Sequence, residues 1–248
     1  MPFFLDPQTN LWTYAAPKHA HIRRGKWQRE ATAADFNFRD TKPKHMWMAD
    51  VGGGRIQPSM ACPVLLVGRG PSCAATLNGA YTIAVNPHAA TVYGQRVDAC
   101  FSGDRDYWKE HHFGWRGRNP NTLSVWLTNP DSSKYRFWRD KHRHPSRAVC
   151  MGEWPIDRCN TNHWPVVLRK GAPRILSATP PAALLYALQI TTGPVVLAGF
   201  DLSGTNAQGT NYKANQFWKW EAIAWLVDRG RVQCHSLMGG PVRGLFDG

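Results

Sequence analysis

The residue pattern points to an α/β protein built on an open, largely parallel sheet with helices on both faces. Three observations carry that expectation. Four short runs are apolar on both alternating faces, as strands covered on both sides by helices are. Helix-forming stretches fall between and after them, the alternation that builds a parallel sheet. The rest of the chain, rich in Arg, Lys, His, Trp and Pro, shows little periodicity and reads as basic, Trp-rich insertions on a compact scaffold.

Each element has its own signal. Val51-Gly52-Gly53-Gly54 reads as a flexible joint before the first core strand. Residues 64–68 are an apolar run ending in Gly-Arg-Gly-Pro-Ser, a buried strand and then a turn. Residues 81–86 are a second run of β-formers, stopped by Pro87. Residues 97–102 are a third, closed by Gly103-Asp104, and residues 195–199 a fourth, ending in Gly-Phe-Asp. Ser177-Ala178-Thr179-Pro180-Pro181 offers an N-cap and first-turn prolines to a helix over 182–189. Residues 215–229 place Phe217, Trp220, Ala224 and Val227 near one helical face, with Gly230 to end it. Residues 232–235 suit a last strand. With strands and helices in this order the expected architecture is Rossmann-like. Residues 1–60 read as a basic N-terminal extension, and residues 61–248 as the domain proper, with a basic insertion at about 105–174.

Composition bounds the partner. The chain of 248 residues carries 30 Lys and Arg against 17 Asp and Glu, a formal charge of +13, which predicts attraction to a polyanion. The excess is local: residues 105–174 contribute +8 and residues 1–60 contribute +4, while residues 61–104 are neutral. No stretch approaches the ~18 apolar residues of a membrane span. The first residues lack the basic region and long apolar core of a signal peptide. Six Cys with no C-x-x-C pair make no disulfide scaffold. The expectation is a soluble cytoplasmic protein.

Several motifs suit chemistry. Gly68, Gly70, Pro71 and Ser72 follow a strand, where glycines permit a tight turn and close approach of backbone N–H groups to a phosphate. A structural turn explains the same residues. Cys73 stands where a dinucleotide fingerprint needs Gly, which disfavours a standard NAD site. Asp104-Arg105-Asp106 is a D-x-D whose carboxylates suit Mg²⁺ or Mn²⁺ bridging a diphosphate. It also reads as a turn with an Asp cap. Asp104 is a candidate general base, and Asp201, at another strand end, is its rival. Cations interleave with rings at Arg23, Arg24, Lys26 and Trp27, at Arg116 and Arg118, and at Lys134, Arg136, Trp138, Arg139, Lys141 and Arg143. Phosphates need the cations and exposed bases need the flat faces, although a solvated basic surface has the same composition. Cys150, Cys159 and His163 lack the close Cys pair of a structural zinc site.

Gly68-Arg69-Gly70-Pro71-Ser72, then Asn86 ending the second strand, resembles the bacterial sialyltransferases of glycosyltransferase family forty-two and the related GxGPS glycosyltransferase-like proteins. Ser177 before a helix, and Val196-Leu197-Ala198-Gly199-Phe200-Asp201, are similar to that family's later core. The resemblance implies a nucleotide sugar bound at the carboxyl ends of the strands, with Gly68, Gly70, Pro71 and Ser72 near its phosphates. It also implies nucleotide contacts from Asn86 and Ser177, while Gly103 stands where the sialyltransferases have Asn. The expected function is glycosyl transfer to a polyanionic acceptor, foremost a 5-hydroxymethylpyrimidine in DNA, flipped out of the stack to be reached. One alternative is a glycan or lipid-linked acceptor. The other is a non-catalytic nucleic-acid-binding protein, favoured by the short span from Asp201 to Asn215 and by the absence of the family's lid His.

Overall fold

The computed structural model describes residues 54–103, 120–127, 145–151, 179–202 and 227–247, with shorter strands and single positions elsewhere. The chain divides into two compact units, one of residues 1–46 and 153–177 and one of residues 47–152 and 178–248. In the first, β1 (Phe3–Asp6) pairs antiparallel with β2 (Leu11–Tyr14) and with β3 (Arg29–Glu30).

The second unit holds the main sheet. Its strands are β4 (Met48–Asp50), β5 (Val64–Val67), β6 (Tyr81–Val85), β7 (Ala99–Ser102), β8 (Leu123–Leu127) and β9 (Ser146–Met151). A hairpin of the first unit, β10 (Leu168–Arg169) with β11 (Ala172–Pro173), follows in the chain. The main sheet then resumes with β12 (Val195–Ala198) and β13 (Val232–Cys234). The order across it is β13-β12-β5-β6-β7-β8-β9-β4. Seven of these strands are mutually parallel, and β4 adds antiparallel at the β9 edge. This is the Rossmann-like α/β fold.

Register explains why the strand runs are apolar on both sides. In parallel pairing Leu65 lies beside Val196, Val67 beside Ala84, and Ala84 beside Cys100. These side chains share one face and pack with Ala89, Ala90 and Tyr93 of α1 (Pro87–Tyr93). The alternate residues, including Leu66, Ile83 and Phe101, are fully buried as well. They face α2 (Thr179–Ile190), where the Phe101 and Tyr186 rings lie 5.4 Å apart. Helices therefore cover both faces, and a strand with no solvent side carries no polar alternation. At the β12 end, Phe200, Trp220 and Phe246 stack edge to face, with centroids 5.0 and 6.4 Å apart. Trp220 and Ala224, expected on one helical face, are buried helical positions, as is Ile223, while Val227 is buried in a bend; Phe246 belongs to α3 (Arg243–Phe246).

Three features differ from the sequence reading. The stretch 105–174, read as an irregular insertion, supplies β8 and β9 to the core sheet. Leu123-Ser124-Val125-Trp126-Leu127 is as apolar as its neighbours, but it sits between basic, Trp- and Pro-rich segments that mask its pattern. Met48–Asp50, assigned to the extension, is the antiparallel edge strand. Pro87, which ends the second strand as expected, also opens α1, a helix the sequence reading did not include, because a proline with no N–H is well placed where that group has no helical partner. Among the described residues no helix is long and apolar enough to cross a membrane.

Candidate active site at the sheet switch point

The chain steps from β5 outward through β6 to β9, then returns to the other side of β5 as β12 and β13. The connections leaving β5 and β12 thus diverge, and such a reversal opens a crevice at the carboxyl ends of the strands. The predicted glycine turn lies there. It follows β5, with Pro71–Ala74 forming a 3-10 turn, while Gly199, Phe200 and Asp201 follow β12.

The structure brings Gly68, Gly70, Ser72 and Asp201 together closely. Gly68 N–H donates to Ala198 O at 2.7 Å and Gly70 N–H to Gly199 O at 2.6 Å. Ser72 donates twice to Asp201 Oδ2, from its N–H at 3.1 Å and from its Oγ at 2.8 Å. The same Oγ accepts from Gly199 N–H at 2.8 Å, and Gly239 N–H donates to Asp201 Oδ1 at 2.9 Å. A Cβ on Gly68 would collide with Gly199 O, and one on Gly70 with the Asp201 carboxylate. The glycines are there so that two loops can touch backbone to backbone. A further N–H, that of Cys73, donates to Gly70 O. The N–H groups at 68, 70, 72 and 73 therefore point into the protein, and Pro71 has none. A loop so engaged grips its neighbour loop rather than cradling a phosphate through those amides.

Asp201 is 4% exposed, and its carboxylate accepts three hydrogen bonds. Both oxygens are turned to the protein, which leaves the predicted general base poorly placed to take a proton from an acceptor. Burial, reinforced by the Asp201 carboxylate, pushes the neighbouring Cys73 thiol up from its usual range.

The rim of the mouth is polar. Asn86, after β6, has φ 72° and ψ 149°, a region that glycine favours. Its N–H donates to Phe101 O at 2.8 Å, and its Oδ1 accepts from Ser102 Oγ at 3.0 Å instead of capping α1. Leu202, after β12, also has a positive φ, of 46°. Among the described residues these two are the non-glycine positions of that kind, and both lie at carboxyl ends of the parallel sheet. Arg69 Nη1 lies 3.5 Å from His88 Nδ1, so the second residue of the glycine turn meets the first turn of α1. Gly103 is exposed at the end of β7, and a Cβ there would sit 3.2 Å from Thr179 Oγ1 at the start of α2. Pro180 and Pro181 remove two N–H groups from that helix end, which weakens it as an anion site.

Asp104, Asp106 and Ser177 lie outside the described residues, as do Arg23, Arg24, Lys26, Trp27, Arg116, Arg118, Lys134, Arg136, Trp138, Arg139, Lys141 and Arg143. Among the described residues no group of His, Cys, Asp or Glu is arranged to hold a metal ion. Sequence reasoning passed over Arg69, His88, Ser102 and the Gly239-Gly240 turn. A glycine pair is a turn signal, and Pro87 after a strand marks the helix start that sets His88 at the mouth. The chain matches no protein-family model, no curated protein and no solved structure.

Proposed function

We propose that this chain is a nucleotide-sugar-dependent glycosyltransferase whose acceptor is polyanionic, foremost a 5-hydroxymethylpyrimidine in DNA. The observation that carries the reading is the switch point. A doubly covered parallel sheet reverses its strand order between β5 and β12, and the Gly68–Ser72 turn and the strained Asn86 meet its mouth. Crevices of this kind hold nucleotides. Because the amides of Gly68, Gly70, Ser72 and Cys73 face inward, the reading assigns the donor phosphates to side chains at the turn, Arg69 and His88, and the nucleoside to Asn86.

In this mechanism Asp104 takes the proton of the acceptor hydroxyl, whose oxygen attacks the anomeric carbon. The bond from that carbon to the phosphate oxygen breaks, and the nucleotide diphosphate leaves with the electron pair. Cationic groups at the mouth stabilise the charge that develops on it. Asp104 and Asp106 offer hard oxygens suited to Mg²⁺ or Mn²⁺. Asp201 is not assigned the base role, since its oxygens are engaged by Ser72 and Gly239.

The test is mass spectrometry of DNA containing 5-hydroxymethylpyrimidines after incubation with UDP-, GDP- and CMP-sugars, with and without Mn²⁺. A sugar-sized mass gain on one nucleoside is expected, and Asp104→Asn is expected to lower the rate by about a hundredfold or more. Full transfer by Asp104→Asn removes that residue from both roles. The engagement of Asp201 favours one second reading, a nucleic-acid-binding protein without catalysis on this scaffold. Tight, salt-sensitive DNA binding with no transfer would select it, and transfer to glycans alone would move the acceptor class.

A further inference from the structure

The Ser72–Asp201 contact joins the two loops, and the C-terminal segment adds one tie to Asp201 and another just past the glycine turn. Gly239 N–H holds Asp201 Oδ1. His235 Nε2 lies 3.1 Å from Thr76 O, just past the turn, while its Nδ1 accepts from Leu237 N–H at 3.2 Å. With Nδ1 engaged by Leu237, Nε2 is the ring nitrogen that faces Thr76 O. Gly240 has φ +78°, and a Cβ there would overlap the carbonyl oxygen of Asp201. Arg243 Nη1 donates to Met238 O at 2.8 Å and fastens the turn to α3.

We infer that Asp201 is a positioning residue: through Ser72 it sets the backbone of the 68–72 turn, and the 238–240 turn in turn sets Asp201. The functional part of the inference rests on the donor site proposed above. The structural part does not. A carboxylate joined to both loops transmits any displacement of the C-terminal turn to the glycines beside β5. The chain after β13 thereby becomes part of the donor site without touching donor.

Two glycine variants of the full chain separate this from general stability. Gly240→Ala introduces a methyl group where the Asp201 carbonyl stands, at a left-handed φ. Gly244→Ala, in α3 of the same segment, meets nothing within 4 Å. Amide hydrogen exchange at 68–73 is expected to quicken about tenfold in Gly240→Ala and to stay within about twofold in Gly244→Ala, with α2 amides unchanged in both. Equal behaviour of the two variants overturns the inference, as does a Gly240→Ala effect spread over α2.

Kinetics then distinguish positioning from catalysis. Gly240→Ala is expected to raise the KM for the sugar nucleotide about tenfold while kcat falls less than about threefold. A loss confined to kcat refutes the positioning role. A wild-type protein that turns over no sugar nucleotide refutes the donor reading instead, and the exchange comparison still decides whether Asp201 is set by the turn.

Discussion

Ser72 and Asp201 lie 129 positions apart in sequence, and the buried hydroxyl of Ser72 donates to Asp201 while accepting from Gly199. Each half of that pair was visible as a candidate, Ser72 in a phosphate turn and Asp201 as a base. Their partnership was not, because a hydrogen bond between distant loops leaves no mark on local composition. Ionisable residues elsewhere are held neutral by burial. Tyr81 is pushed up to about 12, first by burial and then by the neighbouring Tyr186 and Asp98. Burial, with Asp247 beside it, pushes Cys234 up to about 12 as well. A raised folded pKa favours the protonated folded form, so these groups contribute stability fully below about pH 9 to 10 and lose it as pH climbs towards 12. Denaturant midpoints are therefore expected to hold steady to about pH 9 and then fall. Tyr81→Phe, which cannot ionise, should show a shallower fall between about pH 10 and 12. An unchanged slope would show that Tyr81 does not take part.

Among the elements, α2 shows how a helix without ideal ends is held. Its first turn carries two prolines and its last turn no basic residue. Arg231, the last residue of the 3-10 turn before β13, supplies the missing cation by donating to the carbonyl oxygens of Leu188, Thr191 and Gly193. Thr191 completes the end with its Oγ1, which donates to Cys62 O at 2.7 Å and accepts from Gly193 N–H at 2.9 Å. The end of α2 is thereby joined to the starts of β5 and β13. Arg231→Ala is expected to cost about 2 kcal/mol, since the carbonyls of Leu188, Thr191 and Gly193 lose a charged donor. Urea unfolding measures it, and a loss under about 0.5 kcal/mol would mean that water replaces the guanidinium. Strand and helix periodicity located α2 and the strands β5, β6, β7, β12 and β13 to within a few residues. It passed over α1, whose seven residues are too few for a helical period to register.

For the whole molecule the formal charge of +13 sets the expected partner, and the proposal places DNA contacts on the basic segments. Replacing Arg136, Arg139, Lys141 and Arg143 with alanine is expected to weaken DNA binding and to flatten the slope of log K against log salt by about 3 to 4, near 0.9 for each phosphate no longer neutralised. A slope that does not change would put the DNA elsewhere. Local sequence determined the parallel α/β class, because strands buried on both faces must be apolar on both, and Val64–Val67 and Val195–Ala198 show that directly. It also marked the glycine turn, because two glycines in three residues are legible whatever their purpose. Only the tertiary structure showed what the turn touches. Strand order is set by which apolar edges pair, a choice that residue pattern leaves open, and that order put β12 against β5 and Asp201 on Ser72. Proximity of residues far apart in the chain is created by packing, so the hydrogen bonds that Asp201 accepts from Ser72 and Gly239 could be read only from the folded chain.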